Sequence, residues 1–283
     1  MGSDVAGIVM AVSEGPGVST CRVNVGDRVF GDIGANTRTK TKQKTKELGA
    51  YAEYVVALDT QVAIVPTNLS LLEAASLPKV ALTSMKALAW YGGARNASFV
   101  GAKVLILGGS GGTGTTGIQL ARYFGASKIT TTTSGPNVKY CKGIGADVVI
   151  NYQNENWWDM NVTSDNMYDL VYDTVGQPGT GNRAMRIVKK GGYYVTITGT
   201  LATKVKEGVT QSMFINSDTN LNSVLLMNEI AQIISLGALR MKRLSMPYSL
   251  KNMNDGFALS QEGHVVGKLV VTAQGGGGHI THV

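Results

Sequence analysis

Two cysteines, three histidines and no long apolar run set the first limits on this 283-residue chain. Cys21 and Cys141 are too few for a disulfide framework and their separation suits no zinc knuckle, which fits a reducing compartment, cytoplasm or organelle interior. No stretch approaches the roughly 20 apolar residues that span a bilayer. The opening MGSDVAGIVM carries no basic region ahead of a cleavable apolar core. A soluble protein with no visible targeting segment is expected. Motifs for nucleic-acid binding are missing as well, so no nucleic-acid partner is expected.

The net charge of +7 is unevenly spread, because Arg38, Lys40, Lys42, Lys44 and Lys46 alternate with polar residues in TRTKTKQKTKEL. A spacing of two is not a helical face, and no aromatic residue interleaves with these cations. The run reads as a solvated loop between strands, with a patch for an anionic partner or a membrane surface as the sharper alternative.

With 43% hydrophobic residues the chain can bury a large core, as one large domain or two smaller ones. From about Ala102 short apolar runs alternate with helical stretches: AKVLIL, TTGIQLARYFGA, SKITTTT, NVKYCKGIGA, DVVINY, YDLVYDTVG, NRAMRIVKK and YYVTITG. That βαβ rhythm, with runs apolar throughout such as VLIL, predicts a doubly wound parallel sheet covered on both faces. The first 75 residues read instead as short β pieces: VAGIVMAV, DRVFGDI, AYAEYVVA and QVAIV.

The motif that carries chemistry is GGSGGTG, with Gly109-x-Gly111-x-x-Gly114 after an expected strand and before an expected helix. Glycines there allow a tight turn, backbone approach to a pyrophosphate, and close packing of helix on strand. The helix N-terminus offers unpaired N–H groups and partial positive charge. Dinucleotide binding follows. A rival fits the same residues: Gly108-x-Ser110-x-Gly112 matches the nucleophile elbow of α/β-hydrolases, and Asp173 and His264 follow in the required order. An NAD site places an acid at the end of the second strand, whereas here ITTTTSGPNVKYCK supplies Ser134, Asn137 and Lys139, suited to a 2′-phosphate. NADPH is the expected cofactor.

Several segments together resemble one family, the medium-chain dehydrogenases/reductases, in their zinc-independent quinone oxidoreductase and enone (alkenal) reductase branch. GSDVAGIVMAVSEGPGVSTCRVNVGDRVFG is similar to the family's G-x-D-x-A-G-x-V run ending in V-G-D-R-V, and AASLPKVALTSMKAL to its A-A-x-L-P stretch. GAYAEYVVA, SGGTG, GADVVINY, YDLVYDTVG, KKGGYYVTITG and EGHVVGKLVV follow in the family's order. The resemblance implies a Rossmann domain over residues 76–244 and a β-rich GroES-like catalytic domain from 1–75 and 245–274, while the composition of GGGGHITHV predicts a flexible tail at 275–283. It places Gly109, Gly111, Gly112, Thr113 and Gly114 at the pyrophosphate, Ser134 and Asn137 by the adenosine ribose, Asp173 to Val175 near the nicotinamide ribose, and Thr83 and Phe214 near the nicotinamide.

The resemblance implies no metal. Zinc-dependent relatives open this run with G-H-E and carry a four-cysteine lobe, whereas Ser3 and Asp4 stand here and His264, His279 and His282 lie near the end. Relatives also carry a further segment before the G-x-D run, so this sequence is expected to be a fragment of a longer chain, since losing those strands exposes sheet edges and core. The implied chemistry is NADPH-dependent hydride transfer to a quinone or an α,β-unsaturated carbonyl, with no assignable catalytic residue. Tyr51, Glu53 and Tyr54 of GAYAEYVVA read as part of a strand with structural aromatics rather than as catalytic groups. A homodimer is expected by resemblance, and a non-catalytic subunit of a larger assembly that keeps the fold is the alternative.

Overall fold

The structure is a computed structural model that describes residues 2–13, 21–33, 49–94, 99–159, 167–216, 221–241, 247–263 and 265–273. The basic run from Arg38 to Lys46, the three histidines and the C-terminal tail lie outside the described residues. In chain order the elements begin with β1 (Asp4–Ile8), β2 (Arg28–Asp32), β3 (Val62–Ile64), α1 (Leu71–Ala74), α2 (Pro78–Lys86), β4 (Lys103–Leu107), α3 (Gly112–Tyr123), β5 (Lys128–Thr133) and α4 (Val138–Gly143). They continue with β6 (Val148–Asn151), β7 (Tyr168–Asp173), α5 (Thr180–Ile187), β8 (Val188–Thr196), β9 (Thr210–Met213), α6 (Leu221–Ser235), β10 (Tyr248–Ser249), α7 (Met253–Gln261) and β11 (Val271–Thr272). Two compact units result, Met1–Leu82 with Asn216–Val283, and Thr83–Ile215.

In the first unit β1, β2 and β3 form an antiparallel sheet, and β10 pairs in parallel with β11. A capping box starts α1: the Glu73 N–H donates to the Ser70 hydroxyl at 3.2 Å, and the Ser70 N–H to the Glu73 carboxylate at 3.0 Å. Leu226, Met227, Ile230, Ile233 and Ile234 recur at helical spacing on α6 and are buried. That stripe packs on β3 and the turn at Asp59–Gln61, and the Asn68 amide ties its end by donating to the Ile234 carbonyl at 2.9 Å. By covering β3, α6 belongs to the first unit, whose second segment begins at Asn216. GAYAEYVVA is also not a strand. Val55 turns inward, against Val5 and Ile33, with Ala50 and Ala57 packed on the same cluster, while Tyr51 and Tyr54 are exposed, so three spaced contacts rather than a ladder anchor the segment.

Four charges lock this unit. Asp4 and Asp32 are cross-strand partners of like charge, which alone is unfavourable. Lys268 meets Asp4 at 3.2 Å and Lys79 meets Asp32 at 2.7 Å. Asp4 also accepts the Lys79 N–H at 2.8 Å, so it caps the first turn of α2, whose sequence supplies no polar cap of its own. Burial pushes the Asp4 carboxyl above the usual aspartate range; Lys268 pulls it back, and Asp32 adds to the push.

In the second unit six parallel strands run in the order β6-β5-β4-β7-β8-β9. The unit's first strand is central, and the chain builds outward on one side before crossing to the other, the order of dinucleotide-binding doubly wound folds. Val104 to Leu107 and Leu170 to Asp173 are all buried, which explains their lack of alternation. NRAMRIVKK splits: α5 ends at Ile187, and the β-branched Val188 starts β8 by pairing with Tyr168 before a register shift. Trp157 is buried in the core with Trp158 edge-on at 5.3 Å, and the Arg183 guanidinium lies 4.0 Å from the Trp158 ring. α2 continues into a π-helical turn at Ala87–Tyr91.

Asp4→Ala is expected to cost about 2 kcal/mol, since it strands a half-buried ammonium and uncaps α2; urea denaturation checks it as a lowered midpoint. Cys141 gives a pH test. Burial pushes its thiol up to about 11, with the Thr133 hydroxyl pulling the other way. A raised folded-state value means that the stability it contributes is complete below the ordinary thiol range and is lost as pH rises through about 11. Near pH 8 a thiol reagent should therefore label Cys21, which is partly exposed, and reach Cys141 only on unfolding.

Candidate functional site

The strand order reverses between β4 and β7, and a ligand crevice is expected beyond the C-terminal ends of these strands. The glycine loop leaves β4 there and a second turn leaves β7. Gly108 has φ +80°, and a Cβ on it would meet Val175 Cγ2 at 2.7 Å, so the two turns lie against each other. Thr174 fastens them by donating to the Leu107 carbonyl at 2.6 Å.

The glycines differ in why they are glycine. A Cβ on Gly109 would fall 2.2 Å from Thr131 Oγ1, and one on Gly114 would fall 2.1 Å from the Gly108 carbonyl oxygen. Those two are demanded by packing. At Gly111 the nearest atom would be the Gly108 oxygen at 3.5 Å, so the protein itself leaves that space open. Gly111 is the N-cap of α3 and has no side chain to cap it, which leaves the first-turn N–H groups of Gly112 and Thr113 to be met by something else. Open space above Gly111 and uncapped donors beside it fit a diphosphate.

At the end of β5 the Asn137 amide donates to the Ser134 hydroxyl at 3.0 Å, while Lys139 is exposed on α4. These three polar groups stand together with no acid between residues 134 and 140. Asp173 is placed differently from its neighbours in sequence. Its carboxylate is 0% exposed and accepts the N–H groups of Val175 and Gly176, each at 2.9 Å, and the hydroxyls of Tyr194 at 3.1 Å and Thr196 at 3.4 Å. It holds the turn after β7 from beneath, and Val175 presents the exposed side chain. Burial, with the Asp173 charge beside it, pushes the Tyr194 phenol up, so Tyr194 stays a donor.

Thr83 is buried near the end of α2, and the next residue, Ser84, reaches α3: its hydroxyl donates to the Thr113 carbonyl at 2.9 Å and pairs with Thr116 at 2.8 Å. Phe214, just past β9, stacks on Tyr91 with centroids 4.6 Å apart and planes at 16°. Ser84 and the hydroxyls of β5 are not marked by any sequence motif; their partners in the glycine loop and α3 lie 23 residues or more away, at positions no local pattern connects. Only the density of threonine in KITTTT was visible.

The hydrolase arrangement is not formed. Asp173 spends its oxygens on β7, β8 and their turns, Ser110 is hydrogen-bonded to Thr133, and His264 lies outside the described residues. Nor do the described residues suit a metal: no three His, Cys, Asp or Glu side chains gather among them, and Asp4 is already held by Lys268 and the Lys79 N–H.

Comparison with known proteins agrees with this fold. The family model described as zinc-binding dehydrogenase matches residues 144–271. The chain is 35% identical to the 2-methylene-furan-3-one reductase of Solanum lycopersicum, over 95% of this chain and 62% of that protein. It is 29% identical to a chloroplastic NADPH-dependent alkenal/one oxidoreductase of Arabidopsis thaliana, over 95% of this chain and 63% of that protein. With a mitochondrial NAD(P)H oxidoreductase of Mus musculus the identity is 30%, over 96% of this chain and 69% of the relative. The structure of the quinone oxidoreductase from Coxiella burnetii superposes with a TM-score of 0.75 at 28% identity, covering 97% of this chain and 79% of that one. The chain thus spans somewhat less than two thirds of the plant relatives. Strand order, glycine loop and these similarities together make the chain a member of the medium-chain dehydrogenase/reductase family, in its quinone and enone reductase branch.

Proposed function

We infer that the chain binds NADPH and serves reduction of a quinone or an α,β-unsaturated carbonyl. The observation that carries this is the glycine loop at the sheet's reversal point, where Gly111 leaves space and the α3 N-terminus leaves donors. Gly109, Gly111, Gly112, Thr113 and Gly114 would hold the diphosphate, their backbone N–H groups meeting its charge. Ser134, Asn137 and Lys139 would take the 2′-phosphate, for which an acid would be a repulsive neighbour. Thr83, Val175 and Phe214 would border the nicotinamide, with the Tyr91 stack fixing the Phe214 ring and Asp173 fixing the turn that carries Val175.

Bound NADPH supplies a hydride, which the β-carbon of the enone or the quinone accepts. The protein's own task is alignment and the exclusion of water, since no covalent nucleophile is needed. Negative charge then gathers on the acceptor oxygen and is quenched by a proton from water or from a hydrogen-bond donor. The NADPH named for the Arabidopsis relative and the furanone acceptor named for the tomato relative support the same class of reaction.

Loss of NADPH absorbance on adding a panel of enones and quinones tests the reading. Acceptor-dependent loss, with NADPH favoured over NADH by at least about tenfold, is expected from charge-assisted bonds to one phosphate. Binding of neither cofactor by the folded chain would overturn it. The glycines give a sharper check: Gly111→Ala should keep the thermal midpoint and weaken NADPH binding about tenfold, whereas Gly114→Ala should lower the midpoint, because its Cβ meets backbone.

A further inference from the structure

A cavity of about 270 Å³ opens in the first unit between α7 and the β10–β11 pair. Tyr51, Tyr248, Met253, Phe257, Ser260 and Lys268 line it, all of them within that unit and none in the glycine loop. α7 is seated at one point: Gly256 is its buried residue, and a Cβ there would meet the Tyr248 ring at 3.2 Å. Its larger apolar side chains, Met253 and Phe257, line the cavity instead of a core. Phe257 meets Tyr51 edge to face, with centroids 5.6 Å apart and planes at 83°. Two rings at right angles make an apolar corner with a ring face left for a third. An apolar cavity of about 150 Å³ is enough for benzene, so this one holds a single ring with a short substituent.

Among the described residues that line the cavity, Lys268 is the one charged side chain. Its ammonium meets Asp4 at 3.2 Å, and the side chain is still 29% exposed. An ammonium carries three donors, so one contact with Asp4 leaves others for a ligand. Nor does Asp4 depend on Lys268 alone, because it also accepts the Lys79 N–H at the positive end of α2, while the Lys79 ammonium meets Asp32. Two carboxylates against two ammonium groups and a helix N-terminus leave a small positive excess beside the cavity. We propose that this cavity is a binding site for a single-ring aromatic carboxylate, its ring packed in the corner of Tyr51 and Phe257 and its carboxylate paired with Lys268. Such a molecule offers no electron-poor alkene to a hydride, so it is a ligand of the first unit rather than an acceptor. The inference stands apart from the cofactor reading and does not rest on it.

Fluorine NMR titration of the whole chain with a fluorobenzoate tests this. Saturable binding with a dissociation constant on the order of 1 mM is expected of so small a ligand. The matching fluorobenzamide keeps the ring and loses the charge, and should bind at least about tenfold more weakly. Phe257→Ala should weaken the fluorobenzoate severalfold in a chain that still folds, since this side chain is exposed on α7. Lys268→Gln should abolish the preference for the carboxylate over the amide. If Lys268→Gln fails to fold, because Asp4 loses its partner, the comparison of the two ligands on the unaltered chain carries the test of charge. Absence of saturable binding, equal affinity for carboxylate and amide, or unchanged fluorobenzoate binding by Phe257→Ala would each overturn the proposal, the last by showing that the ligand sits elsewhere.

Discussion

The first turn of α3 comes so close to the loop before it that a single added carbon on Gly114 would fall 2.1 Å from the Gly108 carbonyl oxygen. This approach sets the tilt of α3 over the central strand. It also leaves the uncapped end of the helix beside the strand ends where the sheet reverses. Everything else in the unit accommodates it. β5 meets the loop with hydroxyls on both faces, Ser84 holds the helix's first turn from α2, and Thr174 ties the neighbouring turn to the end of β4. The site is built from backbone held at short range, which is why so few charged side chains define it.

The first unit follows a different logic, because its sheet is small and two carboxylates face each other across it. Asp4 and Asp32 face each other across β1 and β2, and two lysines from distant segments make that tolerable. Desolvating such a group costs several kcal/mol, offset only when partners and hydrogen bonds are complete. The same carboxylate caps α2, so electrostatics and helix termination share one side chain.

How much of this could be read in advance depended on how local the causes were. The glycine loop was legible as a strand-to-helix turn because the tight packing at Gly109 and Gly114 imposes glycine at fixed short spacing, and the continuous apolar runs of β4 and β7 announced a sheet covered on both faces. GAYAEYVVA misled because its aromatic and β-branched residues suit a strand, while only the spaced side chains of Ala50, Val55 and Ala57 are held by the core. The sequence of α6 does not say which sheet the helix covers, and it covers β3. Asp173 was visible as an acid at a strand end near the crevice. That its oxygens are enclosed by Tyr194, Thr196 and two backbone N–H groups depends on β8, some twenty residues further on.

The π-helical turn that ends α2 bears on how this segment tolerates change in length. Such a turn holds one residue more than an α-helical turn would, and that residue rotates everything after it. Tyr91 closes the turn and meets Phe214 face to face, a contact that depends on its angular position. Removing any one residue between Ala87 and Tyr91 would return the segment to ordinary pitch and swing Tyr91 by about 100° around the axis. A one-residue deletion in this stretch would therefore leave a well-formed helix but uncouple the aromatic stack, so the spacing here is constrained by an angle rather than by composition.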